Sequence, residues 1–225
     1  MRQSRYVSPA PTLERAYRMR VYPSPAQARV LAQLLGATRH VWNWALERRT
    51  RAYREAGESL NWFTLSRELT VYRRRENRAW LAALPRDPLV QVLRNQERAF
   101  AAFFAKHSAY PTFKRKGGPA SVRFTLDQRR QQVRDDGGRW ARVSLPGVGE
   151  LKLRRTEPLV GRLRSITLQR DGAGRWFAAL TADQVPAPVV TMPSEHAVGL
   201  DAGLRELLVV AGDAGVRRVP APKAL

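Results

Sequence analysis

The spacing of apolar residues changes period twice along the chain, from alternation to helical recurrence near Ser24 and back to alternation near Tyr110. In residues 15–22, Tyr17, Met19 and Val21 fall on one side and Ala16, Arg18, Arg20 and Tyr22 on the other, the twofold period of a strand with one buried face. The Met19/Val21 side is expected inside and the arginine side outside. Residues 1–13, with Pro9 and Pro11, read as an irregular polar start. A helix then begins sharply at Ser24-Pro25-Ala26-Gln27: Ser24 can cap the free amides, Pro25 suits the first helical position, and Gln27 completes a capping box. Val30, Leu31, Leu34 and Leu35 make its apolar stripe, which is expected to stop at Gly36. A second helix, Thr38 to Ala56, buries Val41, Trp42, Ala45 and Leu46 and ends at Gly57, with Arg39, Arg48, Arg49, Arg51 and Arg54 mainly outside that stripe. Two helices joined at a glycine have the outline of a helix-turn-helix. Shorter helices are expected over 62–74 and 76–83. After Pro85 and Pro88, Leu89, Val92, Leu93, Gln96, Phe100, Phe103 and Phe104 recur at helical spacing, and the aromatic end is assigned to the core.

Beyond the extended basic segment Tyr110–Gly118, strands are expected over 121–125, 139–145, 150–154, 164–170 and 175–183. The last two flank Asp171-Gly-Ala-Gly174, a hairpin turn, and Trp176, Ala178 and Leu180 share one face. Five short strands with Gly and Pro between them suggest a small β-barrel rather than a βαβ sheet. Pro186-Ala-Pro188 is a stiff linker to a final module opening near Glu195. There His196–Leu204 reads as a buried strand that delivers Asp201 at a Gly-flanked end, followed by a second strand over 204–211. The fold class is α+β, divided at 1–23, 24–109, 110–188 and 195–225.

Composition narrows the chemistry. The 225 residues carry 40 Lys and Arg against 19 Asp and Glu, a formal charge of +21, and only five of the 40 are Lys. Coding bias accounts for Arg over Lys but not for a twofold excess of bases over acids. The planar guanidinium fits phosphate oxygens bidentately and stacks on bases, so a nucleic-acid partner is expected. The absence of Cys rules out disulfides and thiolate zinc sites. No apolar run is long enough to span a membrane and no signal peptide is seen, so a cytoplasmic protein with no membrane partner is expected. His40, His107 and His196 show no ligand spacing.

A carboxylate at Asp201 on so basic a chain suggests metal-dependent phosphodiester chemistry, though spacing alone fits a turn carboxylate equally well. Such chemistry usually needs three or more carboxylates around two metal ions. After Asp201 only Glu206 and Asp213 remain. Arg39, Arg48, Arg49 and Arg51 fit either a solvated helical face or contact with a nucleic-acid backbone.

The order Tyr22-Pro-Ser-Pro-Ala-Gln27, Gly36-Ala-Thr-Arg-His-Val-Trp-Asn-Trp-Ala-Leu46, the helix over 88–104, Pro111-Thr-Phe-Lys-Arg-Lys116 and Val198-Gly-Leu-Asp-Ala-Gly203 resembles the N-terminal half of the TnpB (OrfB) proteins of insertion sequences. That resemblance implies an RNA-guided DNA endonuclease similar to type V CRISPR effectors. The implied plan is a β-barrel wedge domain with an inserted helical recognition domain, followed by an RNase H-like (RuvC) nuclease with a zinc ribbon. Asp201 matches the first RuvC carboxylate, Asn43 a recognition-domain motif residue, and Lys114, Arg115 and Lys116 the basic Phe-Lys-Arg-Lys element. Guide RNA and target DNA are the implied partners and Mg²⁺ the implied cofactor. The later RuvC carboxylates and the four zinc-ribbon Cys have no counterparts. The expectation is therefore a truncated chain that binds nucleic acid, holds Mg²⁺ only weakly at Asp201, has no zinc site and does not cut. Two alternatives stand beside it: an endonuclease completed by a separate C-terminal fragment, and a nuclease-dead RNA-guided DNA-binding repressor. Val198, Leu200, Leu207 and Val209 are expected to be partly exposed.

Overall fold

The alternating segment forms strand β1 (Thr12–Tyr22) in the computed structural model, which describes residues 12–130, 132–135, 137–187, 199–201, 206–212 and 215–220. Tyr17, Met19 and Val21 are fully buried, each contributing roughly 1.5–3 kcal/mol by removing apolar surface from water. The buried Tyr17 hydroxyl donates to the Val160 carbonyl (2.9 Å) and accepts from the Val160 amide (3.1 Å), so its polar atom is satisfied.

Helix α1 (Pro25–Ala56) starts where its signals sit: the Ser24 side chain accepts from the Gln27 amide, and the Gln27 side chain accepts from the Ser24 amide. The expected break at Gly36 is absent, and α1 runs through it as one helix of 32 residues before Gly57 stops it in the left-handed conformation. The reason is phase. Leu31, Leu34, Thr38, Val41 and Ala45 are buried in one unshifted stripe, and that burial outweighs the cost of about 1 kcal/mol for a helical glycine. Helix α2 (Trp62–Tyr72) is capped by Asn61. A 3₁₀ turn (Glu76–Arg78), the short α3 (Ala79–Ala82) and α4 (Arg86–Phe104) follow. The apolar stripe of α4 is buried as expected to Phe100, but Phe104 is 72% exposed rather than in the core.

The later strands are β2 (Ser121–Thr125), β3 (Val133–Asp135), β4 (Trp140–Leu145), β5 (Gly149–Arg154), β6 (Arg162–Arg170) and β7 (Trp176–Pro186). With β1 they form a curled antiparallel sheet of seven strands, ordered β2-β6-β7-β1-β5-β4-β3, where six barrel strands are expected, β1 among them. β1 lies at its centre although the whole helical segment separates it in sequence from its neighbours β5 and β7. β2 and β3 end the sheet and are joined by residues 126–132. Strand β3 is the addition, its three residues carrying too little alternation to read in the sequence. The β6–β7 turn is confirmed by the Asp171 amide donating to the Arg175 carbonyl and the Gly174 amide donating to the Asp171 carbonyl, and Trp176, Ala178 and Leu180 are buried together. Asp87 on α4 accepts from the amide and hydroxyl of Thr125, which ties the helices to β2. Helices and sheet share one buried cluster.

The chain divides into two compact units between Pro186 and Ala187. In the second, β8 (Gly199–Asp201), β9 (Glu206–Gly212) and β10 (Gly215–Pro220) form an antiparallel sheet ordered β10-β9-β8, with β10 an addition to the strands expected. Leu200 and Leu207 are 67% and 54% exposed, and Val209 is partly buried. The expectations for residues 1–11, for Pro188, for the module opening near Glu195, and for Val198, Gly203, Leu204 and Asp213 lie outside the described residues. No described helix is long and apolar enough to cross a membrane.

Candidate nucleic-acid interface

Two neighbouring residues in the middle of α1 grip the basic segment. The Trp42 indole N–H donates to the Thr112 carbonyl at 2.9 Å. The Asn43 carboxamide uses both ends on one residue, donating to the Lys114 carbonyl at 3.0 Å and accepting from the Lys114 amide at 2.8 Å. A buried Gln96 on α4 donates to the Trp42 carbonyl at 2.9 Å and so fixes α1 from behind. Two residues before Thr112, the Tyr110 ring meets the edges of Phe100 and Phe103 with centroids 5.4 and 5.3 Å away. Residues 110, 112 and 114 are thus held at alternate positions of an extended chain. Between and beyond them Phe113, Arg115 and Lys116 are exposed. The segment then ends at Gly117, whose positive φ of 87° a side chain would strain.

Lys114 differs from its two basic neighbours. Its ammonium lies 4.2 Å from the Trp42 ring centroid, a cation–π contact. Burial lowers its pKa below the ordinary lysine value, although part of the residue stays exposed. Lys114 therefore anchors the segment, while the Arg115 and Lys116 side chains lie exposed to solvent.

The arginines of α1 separate into two groups. Arg48 makes a bidentate pair with Glu68 on α2 (2.8 and 2.9 Å), which holds its pKa above the ordinary arginine value chiefly through that hydrogen bond. Arg49, with a side chain only 10% exposed, pairs with Glu97 on α4 and lies over the Phe100 ring at 5.0 Å. Both tie helices together with their charges compensated. Arg39 is partly buried and Arg51 exposed, and neither is in an ion pair with a described carboxylate. The helical stripe does not mark Arg48 and Arg49 as different, because their partners lie 20 and 48 residues away. By periodicity Trp42 and Gln96 belong to the core stripes of α1 and α4. An indole N–H and a carboxamide need hydrogen-bond partners when buried, and that need was the signal that they position something.

Asp201 is the exposed last residue of β8, opposite Val209. Glu206 begins β9 three positions from Val209, about 10 Å along the strand, so the two are not cross-strand neighbours. Among the described residues no group of three or more His, Cys, Asp or Glu could hold a metal ion. Mg²⁺ asks for near-octahedral oxygen coordination, usually with water and one or two carboxylates against phosphate. Asp201 alone does not build that site.

Residues 13–58 match the OrfB/IS605 helix-turn-helix domain, although here they form β1 and one continuous helix. Over 201 residues the chain is 35% identical to a Streptomyces pristinaespiralis protein named "Putative RNA-guided DNA endonuclease", a match to 88% of this chain and 48% of that protein. It is 28% identical over 193 residues to the Escherichia coli (strain K12) protein "Putative RNA-guided DNA endonuclease InsQ", covering 85% of this chain and 46% of the other. A cryo-EM structure of a Cas12f1–sgRNA–target DNA complex matches 94% of this chain and 66% of its own, at 12% identity and a TM-score of 0.42. The chain belongs to the TnpB (OrfB) family of insertion-sequence proteins, and it spans about half the length of the curated relatives it matches.

Proposed function

We propose that this chain is the nucleic-acid-holding part of a TnpB-type RNA-guided DNA endonuclease, with guide RNA and target DNA as its partners. The observation that carries the reading is the Trp42–Asn43 grip on the basic segment, within a chain 35% identical to a relative so named. A rigid α1 positions the backbone of Lys114, and Arg115 and Lys116 meet phosphate oxygens. Arg39 and Arg51 extend the same positive field along the helix. In this reading residues 24–109 are the recognition part, inserted in a wedge-like sheet from 1–23 and 110–188, and 195–225 begin the RuvC-like part.

Cutting needs carboxylates beyond Asp201, because both the attacking and the leaving oxygen must be stabilised. The 225-residue chain by itself therefore binds without cutting, and a polypeptide supplying the remaining carboxylates restores cleavage. The test incubates the chain with guide RNA, matched or scrambled target DNA and Mg²⁺, with and without such a polypeptide. Tighter binding of the matched target, with product only in the supplemented reaction, supports the reading. Equal affinity for matched and scrambled targets, or product from this chain alone, overturns it.

A further inference from the structure

The outward face of the seven-stranded sheet carries a second arrangement that the grip on the basic segment does not use. Cross-strand register places Gln169, Phe177, Arg20, Arg154 and Trp140 in one row over five strands. The next row holds Tyr22, Lys152, Arg142 and Arg134. Three of the direct cross-strand neighbours are therefore like-charged: Arg20–Arg154, Lys152–Arg142 and Arg142–Arg134. Like charges directly opposite destabilise a sheet. Glu150 relieves the Arg142–Arg134 pair by bonding both. Arg20, Lys152 and Arg154 are in no ion pair with a described carboxylate, and the buried Arg20 Nε has no hydrogen-bond acceptor among the described residues.

Aromatic rings are interleaved with these cations. Arg18 and Arg20 lie 4.6 and 5.1 Å from the Phe177 centroid, and the Lys152 ammonium 4.0 Å from Trp140. Tyr22, 44% exposed, meets the Trp140 ring edge-on at 5.4 Å. A solvated surface gains nothing from unrelieved repulsion in its middle. A polyanion removes that repulsion, and flat rings beside the cations favour one whose bases are free to stack. Duplexes keep their bases paired, so they offer only phosphates here.

We propose that this face, centred on Arg20, Lys152 and Arg154, binds an unpaired segment of RNA or DNA, with phosphates on the cations and bases against Phe177, Trp140 and Tyr22. The inference builds on the nucleic-acid reading above but concerns a separate surface. Binding of the full chain is measured by fluorescence anisotropy against oligouridine, oligothymidine and a blunt hairpin duplex over a salt series. For Arg20→Gln/Lys152→Gln/Arg154→Gln the salt slope on single strands falls by about two, from roughly 0.7 per phosphate contact. Phe177→Leu/Trp140→Leu weakens single-strand binding about fivefold or more and leaves duplex binding unchanged. Arg154→Gln alone raises the thermal midpoint, because it removes one of two opposed charges. Whichever of the two single-stranded arms shows the larger effect identifies the natural strand as RNA or DNA. An unchanged single-strand slope for the cation variant, an equal loss on the duplex for Phe177→Leu/Trp140→Leu, or a lowered midpoint for Arg154→Gln overturns the proposal. If Arg115→Gln/Lys116→Gln weakens binding while the sheet variants do not, this surface falls and the preceding reading stands.

Discussion

Replacing Asn43 with Ala removes two hydrogen bonds to the Lys114 backbone, of 3.0 and 2.8 Å, without removing any charge. Each is worth about 0.5–1.5 kcal/mol net, and because Asn43 is partly exposed water replaces part of the loss, giving roughly 1–2 kcal/mol in all. The cost falls on the segment rather than on the core, since Trp42 still holds Thr112. Amide exchange at Lys114 should accelerate about tenfold, the equivalent of about 1.4 kcal/mol. RNA affinity should weaken by about five- to thirtyfold, since the protein must now order the segment on binding. The salt slope should stay the same, because Arg115 and Lys116 still reach phosphates once ordered. Hydrogen exchange with mass spectrometry and anisotropy titrations at several salt concentrations read all three quantities. Unchanged exchange at Lys114, or unchanged affinity alongside faster exchange, refutes the argument that Asn43 acts by positioning this segment.

The two arginine groups of α1 should separate in a parallel experiment. Arg49→Ala strands Glu97 and exposes Phe100, costing about 1–3 kcal/mol or several degrees in midpoint, with no change in salt slope. Arg51→Ala should leave stability within about 0.5 kcal/mol and flatten the slope by about one unit. Burial, then the neighbouring Arg78 cation, lowers the His40 pKa below the ordinary imidazole value. The unfolded chain therefore binds the proton first as pH falls, so stability present above about pH 6.5 is lost below it. His40→Gln should lose less midpoint than wild type between neutral and mildly acidic pH; an equal loss removes His40 as the cause. Gly161→Ala sets a Cβ 2.6 Å from the Asp183 carbonyl oxygen, at a φ of +86°. Backbone cannot yield cheaply there, so roughly 2 kcal/mol or more should be lost in denaturant unfolding.

How much of this was legible follows from how local each cause is. The Ser24–Gln27 cap, the buried side of β1 and the Asp171–Gly174 turn depend on residues a few positions apart, and each formed where its pattern stood. The continuity of α1 is also written in the chain, in the unbroken stripe from Leu31 to Ala45, whose phase outweighs the breaking tendency of Gly36. The grip on Lys114 was half legible. Asn43 and the basic segment both stood out as motifs, yet 71 residues separate Asn43 from Lys114 and nothing short-range joins them. The fates of Arg48 and Arg49 were not legible, because a helical face does not reveal which carboxylate folds against it. The like-charged rows of the sheet needed the strand order, with β1 central between β5 and β7.

The central claim is that exposed cations on a segment held by Trp42 and Asn43 meet nucleic-acid phosphates. Its most direct test is the salt dependence of guide-type RNA binding for Arg115→Gln/Lys116→Gln against wild type, with circular dichroism establishing that both fold alike. The predicted result is weaker binding with a slope shallower by between one and two units, from about 0.7 to 0.9 per phosphate contact. Identical slope and affinity in the two proteins would contradict the claim and move the binding surface elsewhere.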